Sequence, residues 1–369
     1  MEKLKKFLRT EAVLVISSIT AMITAFFVPP SVEYLNYIDF KVLSILFCLM
    51  VIVAGLKDIG LFNVLAEKMT TGSNNTRGLF LSLILICFFS SMLITNDVAL
   101  ITFVPFTILV LTITGQTEKM IFVIVMQTVA SNLGSMLTPV GNPQNLYLFS
   151  YYDISILDFF KITIPVTIIG FIIIFIISVY GKHEQIFVQF KLKENISSKI
   201  KLYVYLFLFA LSLLAVFRLV DYKYMLLIVI LSVLFLDNTM FKKVDYSLLV
   251  TFVAFFIFTG NIENIEPIKI YLSELINNHE MFYSIVISQV ISNVPAAVLL
   301  SNFTENYNAL IVGTNIGGLG TIVASLASLI SFKLYVKTKN SKPAKYMLVF
   351  TVVNFGMLVM LLLFSSILL

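Results

Sequence analysis

Two short polar runs interrupt otherwise apolar text: Thr95-Asn96-Asp97 within SSMLITNDVALITFVP, and Ser292-Asn293-Val294 within VISNVPAAV. Each is followed by a second polar cluster. After the first come Ser131, Asn132, Thr138, Pro139, Gly141, Asn142, Pro143, Gln144 and Asn145; after the second, Thr314, Asn315, the glycines up to Gly320, Thr321 and Ala324. These residue types coordinate rather than react. Carboxamides and hydroxyls offer oxygens to a cation and N–H or O–H donors to an anion. No Ser–His, paired-Asp or HExxH arrangement accompanies them, so an enzyme is not expected. Asp97 is the one acidic residue placed at membrane depth. A carboxylate there pairs with a cation or takes a proton, or else caps the hairpin by accepting backbone N–H groups.

The elements that must position these groups are read from composition. The 369 residues are 59% hydrophobic and 12% charged, with a mean hydropathy of +1.00. A soluble domain carries roughly twice that charged fraction. Apolar stretches long enough to cross a bilayer recur along the chain, which reads as an all-α polytopic membrane protein. Spanning helices are expected at 12–30, 40–56, 119–150, 161–181, 200–220, 223–238, 246–262, 305–334 and 344–367. The stretches 78–113 and 282–302 carry a polar break at mid-length and are read as re-entrant hairpins. The first apolar run lacks a small-residue cleavage site and is read as a retained helix. Cys48 and Cys87 are read as packing residues, and His183 and His279 as loop residues on opposite sides. Tyr34, Tyr37, Tyr151, Tyr152, Tyr222 and Tyr224 supply an interfacial aromatic belt in a chain with no Trp. The net charge of +5 has no soluble face on which to cluster, so nucleic acid is not an expected partner.

Charge sets the orientation. With the N-terminus cytoplasmic, all 25 Lys and Arg fall on the cytoplasmic side except Lys41, Lys161, Arg218, Lys223 and Lys269, as the positive-inside rule requires. Lys3, Lys5, Lys6 and Arg9, the basic run Lys182 to Lys201, and Lys333 to Lys345 carry the bias. The C-terminus then lies outside, in the cell (inner) membrane. Making either hairpin a full crossing would invert the following loops and spoil the bias.

An internal repeat follows. IDFKVLSIL (Ile38–Leu46) echoes VDYSLLVTF (Val244–Phe252); each leads to a Gly (Gly55, Gly260), an amphipathic stretch, a polar-tipped hairpin and an interrupted helix. The chain divides into repeat one at 1–181 (hairpin 78–113, broken helix 119–150), a linker and connecting helix at 182–222, and repeat two at 223–369 (hairpin 282–302, broken helix 305–334). The odd crossing between them gives the repeats opposite orientations, the pattern of an alternating-access transporter. Broken chain at membrane depth persists only where it faces protein or a cavity. Half-helix N-termini there favour an anion, and unwound carbonyls and hydroxyls a cation such as Na⁺. None of the four polar centres holds Lys or Arg, so an anion would be held by dipoles and amides, with bound cations supplying positive charge. A channel would also use broken helices, but inverted copies favour alternating access. No P-loop is present.

These centres resemble the ion transporter superfamily, in particular its divalent anion–sodium symporter and citrate-transporter branch. That branch has paired Ser-Asn-Thr hairpin tips and a Gly-Thr/Ser-Pro-Pro-Asn run in its first unwound helix. Here the tips are Thr95-Asn96-Asp97 and Ser292-Asn293-Val294, and the run is Gly141-Asn142-Pro143-Gln144-Asn145. The tips look equally similar to the arsenite-efflux and sodium/proton-antiporter branches. The resemblance implies an elevator-type mechanism, a homodimer, and cation-coupled transport of a small anion such as a di- or tricarboxylate. The alternatives are an arsenite or other oxyanion exporter and a Na⁺/H⁺ antiporter. Substrate contacts are expected from Thr95, Asn96, Ser131, Asn132, Asn142, Pro143, Ser292, Asn293, Thr314 and Asn315. A first Na⁺ site is expected at Asn96, Asp97, Thr138 and Gly141, and a second, weaker one at Asn293, Thr321 and Ala324. No tightly bound cofactor is expected beyond Na⁺ or H⁺ as coupling ion; the partners are the small anion, the lipid bilayer and a second copy.

Overall fold

A computed structural model describes residues 11–71, 75–179, 184–185 and 195–368. Lys3, Lys5, Lys6, Arg9, Lys182, Lys191, Lys193 and His183 lie outside the described residues. Among the described residues, seven helices are long and apolar enough to cross a membrane. In chain order the first half contains α1 (Ala12–Ala25), α2 (Phe40–Asp58), α3 (Leu61–Thr70), α4 (Thr76–Ser90), α5 (Asn96–Ile113), α6 (Met120–Ser135), α7 (Pro143–Tyr151) and α8 (Ile156–Val179). A connecting helix, α9 (Lys199–Val216), leads into the second half. That half contains α10 (Tyr222–Asp237), α11 (Tyr246–Glu263), α12 (Glu266–Ile276), α13 (Glu280–Ile291), α14 (Asn293–Ser301), α15 (Tyr307–Gly317), α16 (Leu326–Val336) and α17 (Pro343–Leu368). Each stretch expected to be polar-tipped or interrupted is two helices: α4 with α5, α6 with α7, α13 with α14, α15 with α16.

Local chemistry explains the starts and stops. In the echoed segments Asp39 and Asp245 do the same work: each carboxylate accepts the backbone N–H three residues on, at 2.9 Å from Val42 and 3.0 Å from Leu248, opening α2 and α11. The first helix stops at Ala25, short of the expected 30, because Pro29 and Pro30 exclude helical conformation before them. The connecting helix stops at Val216 and the chain turns at Arg218, whose φ is +63°. Pro143 begins α7 at the position where its missing N–H costs nothing.

α11 packs along α1, while α9 and α10 pack on α2. The hairpins and broken helices form a second group, with α4 against α6 and α13 against α15. Both close pairings use glycine. A Cβ at Gly134 would run into the Phe88 carbonyl oxygen, and one at Gly313 would lie 2.7 Å from that of Met281, so helix backbones meet there as small residues permit. α6 is buried over almost its whole length. The outer helices instead turn Ile168, Ile172 and Ile176 of α8 and Leu227, Leu231 and Phe235 of α10 outward, the surface that lipid requires.

Contacts at the hairpin feet fix their direction. The Thr76 N–H and the Gln116 carboxamide, at the two feet of the first hairpin, both donate to Glu184, at 3.0 and 3.3 Å. At the feet of the second, Asn306 donates to Glu280 at 3.3 Å, and Tyr152 donates to the Thr304 carbonyl at 2.7 Å. α8 separates Tyr152 from Glu184; its 24 residues span about 36 Å. The hairpins therefore enter from opposite ends of the bundle. The variants Thr117→Cys and Glu305→Cys, each made in a chain with Cys48 and Cys87 replaced by serine, test this in cells against an impermeant maleimide. The Glu305→Cys variant is expected to label from outside, and the Thr117→Cys variant only after permeabilisation. Labelling of both from one side would contradict the arrangement.

Candidate functional site

The two hairpin tips meet the two helix breaks through backbone. The Asn96 N–H donates to the Gly141 carbonyl at 3.1 Å, and the Asn293 N–H to the Ala324 carbonyl at 3.0 Å. Side chains extend both joints. The Ser131 hydroxyl donates to the Asn96 carbonyl at 3.0 Å, and the Ser292 hydroxyl to Ala324 at 3.3 Å. Ser292 has φ +77° and ψ 156°, a conformation that costs on the order of 1–3 kcal/mol for a residue other than glycine; its hydroxyl and the next N–H converge on one carbonyl.

Carboxamides then tie the halves together. Asn132 accepts from Asn96 Nδ2 at 3.0 Å and from the Ser325 hydroxyl at 3.2 Å, and donates to the Gly318 carbonyl at 3.3 Å. Asn142 donates to Asn315 at 3.0 Å, Asn315 to Asn145 at 2.7 Å, and Asn145 to the Met136 carbonyl at 3.1 Å. All of these side chains are buried, where an unpaired amide is costly. The ladder satisfies the polar groups that the breaks would otherwise leave open.

Four helices begin at one point. Asn96, Pro143, Asn293 and Leu326, the first residues of α5, α7, α14 and α16, line a common crevice of about 10 Å³, the room of one water. Thr95, Ser292 and Ser325 occupy the cap positions of α5, α14 and α16, and none of their side chains makes a capping bond. Such hydroxyls ordinarily satisfy the first N–H groups; here the hydroxyls of Ser292 and Ser325 are directed to Ala324 and Asn132 instead. The positive ends of four helices thus face one space with three side-chain caps withheld. No Lys or Arg lines it among the described residues. Asp97 lines both this crevice and a neighbouring cavity of about 730 Å³. That cavity runs between α2, the first hairpin tip and α16, reaches Asn142 and Pro143 at its inner end, and meets Lys57, Lys243 and Lys333 toward the end of α2.

Most of the residues named from sequence come together here. Asn96 and Gly141 are bonded, Thr138 is tied to both neighbours through its hydroxyl on Met92 and its carbonyl to Asn145, and Asp97 stands beside them. Asn293 and Ala324 are bonded, but Thr321 is held one turn away by Gln289, to whose carbonyl its hydroxyl donates at 2.9 Å. Thr314 stands apart: its hydroxyl is bonded to Leu310 of its own helix at 2.7 Å. Two residues, Gln289 and Ser325, escaped the sequence reading of the site, and Gln144 was named in its polar run but not among its contacts. Gln289 donates to the Gly317 and Leu319 carbonyls at 2.9 and 3.0 Å and accepts from the Thr321 N–H at 2.8 Å, so one carboxamide closes the second break. Its position four residues before Asn293, in apolar text, was the available signal. Ser325 and Gln144 complete the crevice.

Apolar helices broken in mid-span around a polar crevice, with a vestibule leading to it, define a polytopic membrane transporter. Residues 4–309 match the family described as citrate transporter, and the chain belongs to that family. It is 34% identical over 336 residues to the uncharacterized transporter MJ0456 of Methanocaldococcus jannaschii, covering 91% of this chain and 92% of that one. It is 29% identical over 307 residues to the inner membrane protein YbiR of Escherichia coli, 80% of each chain. A shorter likeness, 31% over 133 residues, joins 36% of this chain to 27% of the silicon efflux transporter LSI3 of rice. The family, MJ0456 and LSI3 are transporters, not enzymes.

The ladder makes Asn315 a joint between the halves. Asn315→Leu keeps the volume but leaves Asn142 Nδ2 without its cross-half acceptor and Asn145 Oδ1 without its donor, a loss on the order of 1–3 kcal/mol. Purified variant protein is expected to unfold several degrees below the parent; an unchanged midpoint would remove the ladder from the list of forces that hold the breaks.

Proposed function

We propose that the protein is a cation-coupled secondary transporter, with Na⁺ as the coupling ion, of a small anion such as a di- or tricarboxylate. The observation that carries this reading is the convergence of four helix N-termini on one crevice with three side-chain caps withheld. Helix N-termini are anion sites by virtue of their free N–H groups and dipoles. With no basic side chain at the crevice, an anion beside Asp97 needs a compensating cation. A first cation site is proposed at Asn96, Asp97, Thr138 and Gly141, and a second, weaker one at Asn293, Ala324 and Thr321, whose hydroxyl would have to leave Gln289 to join it. Asn96 and Asn293 are proposed to serve cation and anion together.

The same element order in the two halves, with hairpins from opposite ends, supports two inverted repeats. The grouping of hairpins and broken helices apart from α1, α2 and α9 to α12 supports an elevator movement of the first group, within a homodimer. The N-terminus is assigned to the cytoplasm and the C-terminus to the outside. Lys57, Lys243 and Lys333 then mark the cytoplasmic mouth of the vestibule, so the conformation is inward-facing. Efflux of an oxyanion, or Na⁺/H⁺ antiport, is the second reading; the likeness to a silicon efflux transporter and the carboxylate at the crevice favour it.

Asp97→Asn in proteoliposomes decides the role of the carboxylate, since the change keeps shape and removes charge. With Na⁺ beside Asp97, attraction of several kcal/mol at intermediate dielectric is lost. Apparent Na⁺ affinity is expected to fall at least about tenfold, with excess Na⁺ partly restoring transport. A proton carrier would instead lose coupled transport at every Na⁺ concentration together with its pH dependence. Wild-type Na⁺ and pH profiles would leave Asp97 as a structural cap and overturn both roles.

A further inference from the structure

We infer that Gln144 is the residue that selects the transported anion, by pairing with a hydroxyl that the anion carries beside its charged oxygens. The inference rests on the anion site proposed above and narrows its substrate. Gln144 is the second residue of α7, lines the crevice, and is only 2% exposed. Among the described residues its carboxamide has no hydrogen-bond partner, whereas Asn132, Asn142, Asn145, Asn315 and Gln289 around it each make two or more. Every other carboxamide at this centre makes at least one hydrogen bond, Asn293 only by accepting from the adjacent Ser292 hydroxyl at 3.4 Å; Gln144 makes none.

The fold does not require a carboxamide there. In this turn the ladder is already completed by Asn145, which accepts from Asn315 and donates to the Met136 carbonyl. An unpaired amide in so enclosed a place is costly unless something enters to meet it. What can enter is limited by the carboxamide's two faces. Its Nε2 donates, as the helix N-termini do, and any anion oxygen satisfies it. Its Oε1 only accepts, and an anion oxygen against it would be repelled. A ligand that satisfies both faces carries a hydroxyl next to a carboxylate or other oxyanion group. The helix ends hold the charge and Gln144 reads the O–H. A site that pairs with a substrate hydroxyl rejects the analogue lacking it far more strongly than an apolar pocket rejects an extra methylene.

The test is thermal stabilisation of the purified full-length protein in Na⁺ by matched pairs: malate against succinate, and citrate against tricarballylate. Members of each pair have the same carboxylates and differ by one hydroxyl. In the parent the hydroxylated member of at least one pair is expected to bind at least about tenfold more tightly. In Gln144→Leu both members are expected to bind more weakly, the hydroxylated one more so, and the ratio to fall below about twofold; Gln144→Met serves as a second volume-preserving variant. Equal binding of both members by the parent, or a ratio kept in both variants, would overturn the role of Gln144 and leave the anion site standing. Binding of neither pair would overturn the carboxylate reading and this inference with it.

Discussion

A peptide group opened in the middle of a membrane has no water to turn to, and that constraint shapes the centre of the molecule. Two helices are broken there, and two hairpins turn there. Each hairpin tip gives its asparagine N–H to the carbonyl of the break that follows it, Asn96 to Gly141 and Asn293 to Ala324. Once tips and breaks satisfy each other, their helices must begin side by side. The anion-favouring crevice is therefore a by-product of backbone hydrogen bonding. Carboxamides suit the surrounding positions because each offers donors and an acceptor, so one residue can bridge a tip and a break from different halves, as Asn132 does between Asn96 and Gly318.

The electrostatic design follows from the same arrangement. Helix dipoles supply positive potential without an ammonium or guanidinium group, whose long side chain would need its own counter-ion at that depth. The charged side chains lie instead along the vestibule, where Lys57, Lys243 and Lys333 stand among Glu11, Asp58, Asp97 and Asp245, and Lys243 pairs with Asp58. Asp97 at the junction of crevice and vestibule is the group through which a cation can set the balance of charge.

Much of this was legible in the sequence because lipid punishes irregular polarity. The polar interruptions at Asn96, Asn142, Asn293 and Asn315 located both tips and both breaks, and the echo around Asp39 and Asp245 located equivalent helix starts. Helix ends were less legible: the boundaries at Ala25 and Val216 depend on proline and on a left-handed Arg218 rather than on hydropathy. Partners across the halves were not legible at all. Nothing near Asn132 in the chain announces Gly318 or Ser325, nearly two hundred residues away, and Gln289 looks like an isolated polar residue until the second break is brought beside it. Thr314 shows the reverse error, a polar residue in the right segment whose hydroxyl is spent on its own helix.

On the proposed reading, an anion and a cation share the crevice and each makes the other's binding favourable, so the two must show reciprocal coupling. Calorimetric titration of Na⁺ into the purified protein, with and without a saturating small carboxylate, measures it directly. Na⁺ affinity is expected to rise at least about tenfold when the carboxylate is present, and carboxylate affinity to rise by the same factor when Na⁺ replaces choline. Equal Na⁺ affinity with and without the bound anion would contradict a shared, cation-compensated site.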